Sequence, residues 1–248
     1  MKKIIQCLIV TISFILFSSP CFSGENTISL VTLNWGPYAD ENLENYGFTS
    51  EIISKAFERA GYRVSIAFKP WKRALIETED GKYDAVYCAY YTDERAKIYG
   101  LSEPYAESIL GFFKRKDRDI RFATLQDLKP YKIGVTLGYA NSDEFDKADY
   151  FKKETSPADE VSIKKLEAGR IDLATMDKYV GFHILNTTFK QGKEVIEFME
   201  KPLVVNNLYV CFSRAVNGWE KKRADFNSGL VQIKKDGTYD KILKKHGF

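Results

Sequence analysis

The order in which apolar patterns alternate along this chain is its strongest constraint. Residues 28–33 (ISLVTL) read as a buried strand. Phe48, Ile52, Ala56 and Ala60 recur every four residues with Ile53 and Phe57 beside them, one apolar helical stripe that Gly61 closes. Tyr62, Val64, Ile66 and Phe68 alternate as in a half-buried strand. A helix opens at Pro70 with Trp71, Ala74 and Leu75 inward and Gly81 at its end, and residues 83–87 follow as a short strand. Strand, helix, strand, helix, strand demands parallel pairing through crossovers, hence an α/β architecture.

The pattern then returns. Residues 132–137 (KIGVTL) form a strand ending at Gly138, residues 161–168 a helix with Ser156 or Asp159 as candidate caps, and residues 171–175 a strand with Asp177 just past it. Asp80-Gly81-Lys82-Tyr83-Asp84 and Ala168-Gly169-Arg170-Ile171-Asp172 share one plan: helix end, Gly, basic residue, apolar residue, Asp, strand. Two lobes on the same α/β plan follow. Residues 108–116 (SILGFFKRK) join them as an extended apolar segment rather than a Gly/Ser linker, so the connection is ordered. Residues 208–212 are a further strand, Trp219–Lys235 a helix with Phe226, Leu230 and Ile233 inward, and residues 239–246 a basic terminal helix.

The amino terminus reads as an address. Lys2 and Lys3 precede an apolar run at residues 4–17, and Ser18-Ser19-Pro20-Cys21-Phe22-Ser23-Gly24 follows, the pattern of a secretory signal peptide cleaved before Gly24. An uncleaved anchor is the alternative, but the run falls short of the ~20 residues a spanning helix needs; lipidation of Cys21 ranks behind cleavage because Pro20 precedes it. Removing Lys2 and Lys3 leaves 35 basic against 34 acidic side chains, no electrostatic signature of nucleic-acid or membrane-surface binding. Two histidines make a His-rich metal site untenable, and no cofactor or metal is expected. Cys88 and Cys211 remain in the mature chain, either as buried thiols or as one disulfide.

Several strings, taken in order, carry a resemblance: Trp71-Lys72-Arg73-Ala74-Leu75, Gly81-Lys82-Tyr83-Asp84-Ala85, Thr92-Asp93-Glu94-Arg95, Leu101-Ser102-Glu103-Pro104-Tyr105, LQDLKPYKIGVTL at 125–137, GRIDLATMD at 169–177 and KDGTYDKILKKHGF at 235–248. From about Ile28 onward the chain resembles the bacterial extracellular solute-binding proteins, family 3, the polar amino-acid receptors of ABC importers. The resemblance implies a type II two-lobe periplasmic-binding-protein fold, each lobe a mainly parallel sheet flanked by helices, hinged by two crossing strands. The expected division is a signal peptide at 1–23, lobe one at 24–110 and 204–248, and lobe two at 111–203. The implied function is capture of an amino acid or similar small polar solute in an interlobe cleft. The implied partner is an ABC permease in the inner membrane, served by a monomer in the periplasm.

The same resemblance assigns the site. Arg95, three residues after the candidate cap Thr92, matches the family's grip on the ligand α-carboxylate, and a guanidinium's paired donors suit that task; the alternative is a solvated Arg paired with Asp93 or Glu94. Asp177 matches the family's receptor for the α-ammonium; the alternative, compatible with it, is an N-cap for the helix from Lys178. Tyr38, Trp71, Tyr90 and Tyr139, with Gly138, complete the candidate ligand-binding set, and Tyr91 joins the tyrosines that suggest an aromatic box. Three positions depart from the family. Cys88 stands where Gly or Ser is usual, Tyr90 where Ser or Thr is usual, and Gly138-Tyr139-Ala140 replaces Gly-Thr-Thr. No nucleophile motif, paired His or metal set marks an enzyme. The competing functions are a dehydratase-type cleft enzyme, with Glu51 and Asp177 as its candidate acids, and a receptor feeding a membrane sensor.

Overall fold

The structure is a computed structural model that describes residues 26–248. The signal-peptide segment, with Cys7 and Cys21, lies outside the described residues.

The first half runs β1 (Asn26–Thr32), α1 (Phe48–Arg59), β2 (Tyr62–Phe68), α2 (Trp71–Glu79), β3 (Ala85–Tyr90), α3 (Asp93–Ile98) and β4 (Tyr99–Leu101). β1 pairs in parallel with β2 and β3, the arrangement the alternating pattern demanded. β5 (Ala106–Arg115) then leads away to β6 (Lys132–Thr136), α4 (Asp143–Lys147), β7 (Lys152–Ser156), α5 (Asp159–Glu167), β8 (Leu173–Asp177), α6 (Lys178–Thr187) and β9 (Ile196–Phe198). Here β6 pairs in parallel with β7 and β8. β10 (Val204–Ser213) returns to the first half, where α7 (Trp219–Lys235) and α8 (Thr238–Lys245) close the chain.

β5 and β10 are the crossing strands. They pair antiparallel with each other from Leu110↔Val204 to Ala106↔Leu208. Beyond that stretch β5 pairs with β8, while β10 pairs with β3 and β4. One sheet therefore continues in the order β2-β1-β3-β10-β5-β8-β6-β7. The apolar segment at 108–116 is thus a strand buried in that sheet, which is why it needed no polar linker composition.

The short internal repeat is a structural equivalence. Gly81 and Gly169 both adopt left-handed φ, 78° and 66°, a region where side chains are costly. In each case the residue after the glycine closes the helix, Lys82 N donating to Glu77 O and Arg170 N to Lys165 O. The following aspartates then do the same work. Asp84 accepts from the backbone N–H of Ser29 at 2.7 Å, and Asp172 accepts from that of Lys132 at 2.9 Å. Each carboxylate ties the start of its strand to the neighbouring strand of its own half.

Two apolar clusters fill the interior. One gathers Ile28, Leu30, Ile52, Phe57, Phe212 and Phe226 and continues past the crossing strands to Phe113 and Ile184. The other, built on Phe112, Leu128, Phe145, Phe151 and Leu173, sits beneath β6 and α4. α1 and α7 approach closely because Gly229 faces the Ala56 carbonyl with no side chain between. No helix among the described residues is long and apolar enough to cross a membrane.

Two details differ from the sequence pattern. The N-cap of α5 is Ala158, not Ser156 or Asp159, and the Asp159 side chain turns across to β6 instead of capping. The edge strand β7 (KKETS) carries no apolar alternation and so left no strand signal in the sequence.

Candidate functional site

The carboxyl ends of β1, β3, β6 and β8 face a cleft between the two halves, the place where open α/β sheets bind ligands. Each end delivers a different chemical group. After β1 come Trp35 and Tyr38; β3 ends at Tyr90 and leads into α3 with Arg95; β6 leads into Gly138 and Tyr139; β8 ends at Asp177.

Arg95 is positioned by the α3 cap. The Thr92 hydroxyl accepts the Arg95 backbone N–H at 3.0 Å, and the side chain folds back so that Nη1 donates to the Tyr90 carbonyl at 2.9 Å. Nη2 reaches the Gly138 carbonyl across the cleft at 3.4 Å, and the guanidinium lies over the Trp71 ring, 5.4 Å from its centre. Trp71 Nε1 donates to the same Gly138 carbonyl at 3.0 Å. Arg95 is only 8% exposed and has no carboxylate in ion-pair range among the described residues. Burial lowers its pKa, since desolvation penalises the charged form.

A small pocket of about 20 Å³ opens on this guanidinium, with Trp35, Trp71, Tyr90, Tyr139, Cys88 and Ala140 among its walls. The indole N–H of Trp35, a residue that lines the pocket, is buried with no acceptor among the described residues. The pocket's chemistry is one cation among aromatic faces, suited to a small anion with an apolar or aromatic body. Cys88 reaches the wall from a left-handed backbone, φ 65°, where glycine is at ease. Its N–H donates to the Tyr105 hydroxyl at 3.1 Å. Cys88 and Cys211 are both free, buried thiols, pushed up by burial to about 11 and about 12.

Asp177 stands apart from that pocket. It is 1% exposed, and its carboxylate is filled by protein donors. Oδ1 caps α6, accepting from Tyr179 N at 2.7 Å and Val180 N at 3.0 Å. Oδ2 accepts from the Ser108 hydroxyl at 2.7 Å and from the Tyr38 hydroxyl at 3.0 Å. Ser108 also shares a 2.5 Å hydrogen bond with the Tyr90 hydroxyl. Tyr38 stacks on Trp35 with ring centres 4.5 Å apart, so aromatic rings stand between Asp177 and the Arg95 pocket. Burial raises the Asp177 pKa against these donors, and burial, reinforced by the nearby Asp177 carboxylate, drives the Tyr38 phenol upward.

A second cleft carboxyl, Asp159, carried no site reading in the sequence. It is 4% exposed, accepts from Thr136 Oγ1 at 2.6 Å and from the Tyr139 hydroxyl at 3.3 Å, and borders the wider cleft beside Trp71 and Tyr139. Burial pushes it up to about 7. Glu51, by contrast, is remote from the pocket. It pairs with His246 at 2.7 Å and Lys245 at 3.2 Å, which holds its carboxyl below the usual range despite partial burial. Arg95, Trp71, Tyr90 and Tyr139 thus share one pocket, Gly138 contributes a carbonyl to it, and Tyr38 and Asp177 form a separate cross-cleft contact. Tyr91 is exposed, its hydroxyl on Asp93. Trp35 was missed too, although its place just past the end of β1 was the available signal.

The family model of bacterial extracellular solute-binding proteins, family 3, matches residues 31–248. The chain is 29% identical to the amino-acid-binding protein AabA of Dichelobacter nodosus, over 84% of this chain and 81% of that protein. It is 24% identical to the probable amino-acid-binding protein YxeM of Bacillus subtilis, over 85% and 79%. An ancestral arginine-binding protein solved with arginine has the same fold, with TM-score 0.78 at 23% identity over 90% of this chain and 99% of that one. The ordered strings, the crossing strands and the cleft at the strand ends lead to the same conclusion: this chain belongs to the bacterial extracellular solute-binding proteins, family 3.

Proposed function

We propose that the chain is a periplasmic receptor that captures an amino acid or similar small polar solute and presents it to an ABC permease in the inner membrane. Residues 1–23 direct export and are removed. Residues 24–110 with 204–248 form one lobe, residues 111–203 the other, and a monomer closes them about the β5 and β10 crossing. The observation that carries the reading is Arg95, a buried guanidinium that lacks an acid partner and opens on a pocket in the cleft. A buried, unpaired charge is costly, and a ligand carboxylate relieves that cost with paired, charge-assisted hydrogen bonds. The naming of AabA and YxeM as amino-acid-binding proteins supports the ligand class.

Closure has identifiable contacts. Tyr38 to Asp177 and Trp71 and Arg95 to Gly138 all join residues of different lobes. A ligand held by both lobes adds to these contacts only when the cleft is shut, so it shifts the population toward the closed state. The dehydratase-type reading needs a proton donor in the cleft, and Asp159 supplies one where Glu51 does not. A thermal-shift screen over amino acids, amines and small carboxylic acids tests the main reading. A true ligand at 100 times its Kd adds about 2.7 kcal/mol of stability. No stabilisation by any compound contradicts the receptor reading, and conversion of a stabilising compound, followed by mass spectrometry, favours the enzyme.

A further inference from the structure

Among the described residues the cleft buries three charged side chains without ionic partners, Arg95, Asp159 and Asp177, and the two carboxylates differ in how far protein donors fill them. Asp177 has about four lone-pair positions, as any carboxylate does, and four protein donors occupy them. A ligand ammonium arriving there would have to displace a helix cap or a hydroxyl. Asp159 differs. Its Oδ1 holds one short bond from Thr136, and its Oδ2 has only the long 3.3 Å contact from Tyr139. That contact lies beyond the usual 2.5–3.0 Å for O–H···O, so Asp159 keeps acceptor capacity that Asp177 has spent.

Asp159 is also on the right surface. It borders the wider cleft together with Trp35, Trp71 and Tyr139, and those same three rings line the Arg95 pocket. The two regions therefore share three aromatic side chains as walls, and aromatic faces themselves favour a cation. No Lys, Arg or His of the described residues makes an ion pair with Asp159. The titratable groups that bear on its charge include Tyr139, Tyr90, Asp177 and Glu160, while Lys69, paired with Glu77, and His183 line the same wider cleft without pairing with it.

We propose that Asp159, not Asp177, receives the cationic group of the ligand, so that a small zwitterion lies between Arg95 and Asp159 along the face of Trp71 and Tyr139. The inference rests on the reading of Arg95 as the carboxylate receptor. It assigns Asp177 a different duty, as the cap of α6 and the acceptor that fastens Tyr38 across the cleft. The burial that raises the Asp159 carboxyl to about 7 fits this role, because an arriving ammonium favours the ionised form.

The test uses the full-length mature protein and calorimetric titration. Wild type is screened with the twenty proteinogenic L-amino acids. The strongest binder and its carboxylic-acid counterpart carrying no ammonium are then titrated into wild type, Asp159→Asn and Asp177→Asn. Asparagine is itself a good N-cap, so the last variant keeps the α6 start. The proposal expects Asp159→Asn to weaken the amino acid at least about tenfold and the ammonium-free acid less than about threefold, erasing wild type's preference for the amino acid. Asp177→Asn should retain that preference. Because the readout is a ratio of two affinities in one preparation, partial unfolding of a variant does not imitate it. Asp159→Glu, which keeps the charge but displaces it, should reduce the same ratio in part. An unchanged preference in Asp159→Asn overturns the proposal, as does its loss in Asp177→Asn alone. A wild type that prefers the ammonium-free acid overturns it while leaving the Arg95 reading intact. A wild type that binds no amino acid overturns it too, and one that binds no carboxylate of any kind removes the Arg95 reading as well.

Discussion

Asp159 gives the ligand-free protein a pH signature that can be worked out in advance. In the unfolded chain its carboxyl titrates near 3.8, and in the folded protein burial pushes it up to about 7. Between those values the folded state binds the extra proton, so this residue makes stability fall as pH rises from about 4 to about 7, and the loss levels off above that. Moving a carboxyl from 3.8 to about 7 corresponds to about 4 kcal/mol in full, of which roughly 2–3 kcal/mol falls between pH 5 and pH 8. Asparagine has nearly the same shape, accepts the Thr136 hydroxyl and does not ionise. Asp159→Asn should therefore gain about 2–3 kcal/mol on wild type as pH goes from 5 to 8. Urea unfolding of both proteins at both pH values reads the difference directly. A gap between the two proteins that stays constant within about 0.5 kcal/mol would refute the account of a buried, unpaired carboxyl.

Three further outcomes follow from particular contacts. Gly229→Ala places a methyl against the Ala56 carbonyl at the closest approach of α1 and α7, so it should cost about 1–3 kcal/mol and lower Tm by several degrees; an unchanged melting curve would show that the helices separate freely. Cys88 and Cys211 should resist a thiol reagent in the native state and both react once the protein is unfolded in urea, whereas fast native labelling would mean that the pocket wall is open. Tyr38→Phe removes the hydroxyl that meets Asp177 across the cleft, a charge-assisted bond worth about 1.5–3 kcal/mol. Small-angle scattering of that ligand-free variant should give a larger radius of gyration than wild type, and identical curves would mean that the bond does not hold the lobes.

What the sequence revealed and what it hid divide along the distance over which a side chain acts. Trp219–Lys235 was readable to the residue because its apolar stripe and flanking glycines are local. The Thr92 cap was readable too, since it binds a backbone N–H only three residues away. The repeated Gly-basic-apolar-Asp string marked a shared supersecondary unit whose aspartates tie strand to strand. Asp159 was misread because an acid at a helix start is ordinarily a cap, and its true partner Thr136 lies 23 residues away on strand β6. Glu51 looked free for chemistry because nothing local shows that His246, 195 residues on, folds back onto it. Asp177 was correctly seen as a cap, but that Tyr38 and Ser108 saturate it depends on contacts spanning 139 and 69 residues. Packing, not local pattern, decides which charges in the cleft remain open to a ligand.

The central claim is that Arg95 holds the ligand's carboxylate, and calorimetric titration of wild type, Arg95→Gln and Arg95→Lys with the best compound from the screen tests it most directly. Removing one partner of a buried charge pair typically costs 2–5 kcal/mol, so Arg95→Gln should lose roughly 30- to 4,000-fold in Kd. Arg95→Lys should recover only part of that, because an ammonium cannot make the paired contact of a guanidinium. Circular dichroism should show all three proteins folded alike. An Arg95→Gln protein that is folded and binds the same carboxylate within twofold of wild type would contradict the claim.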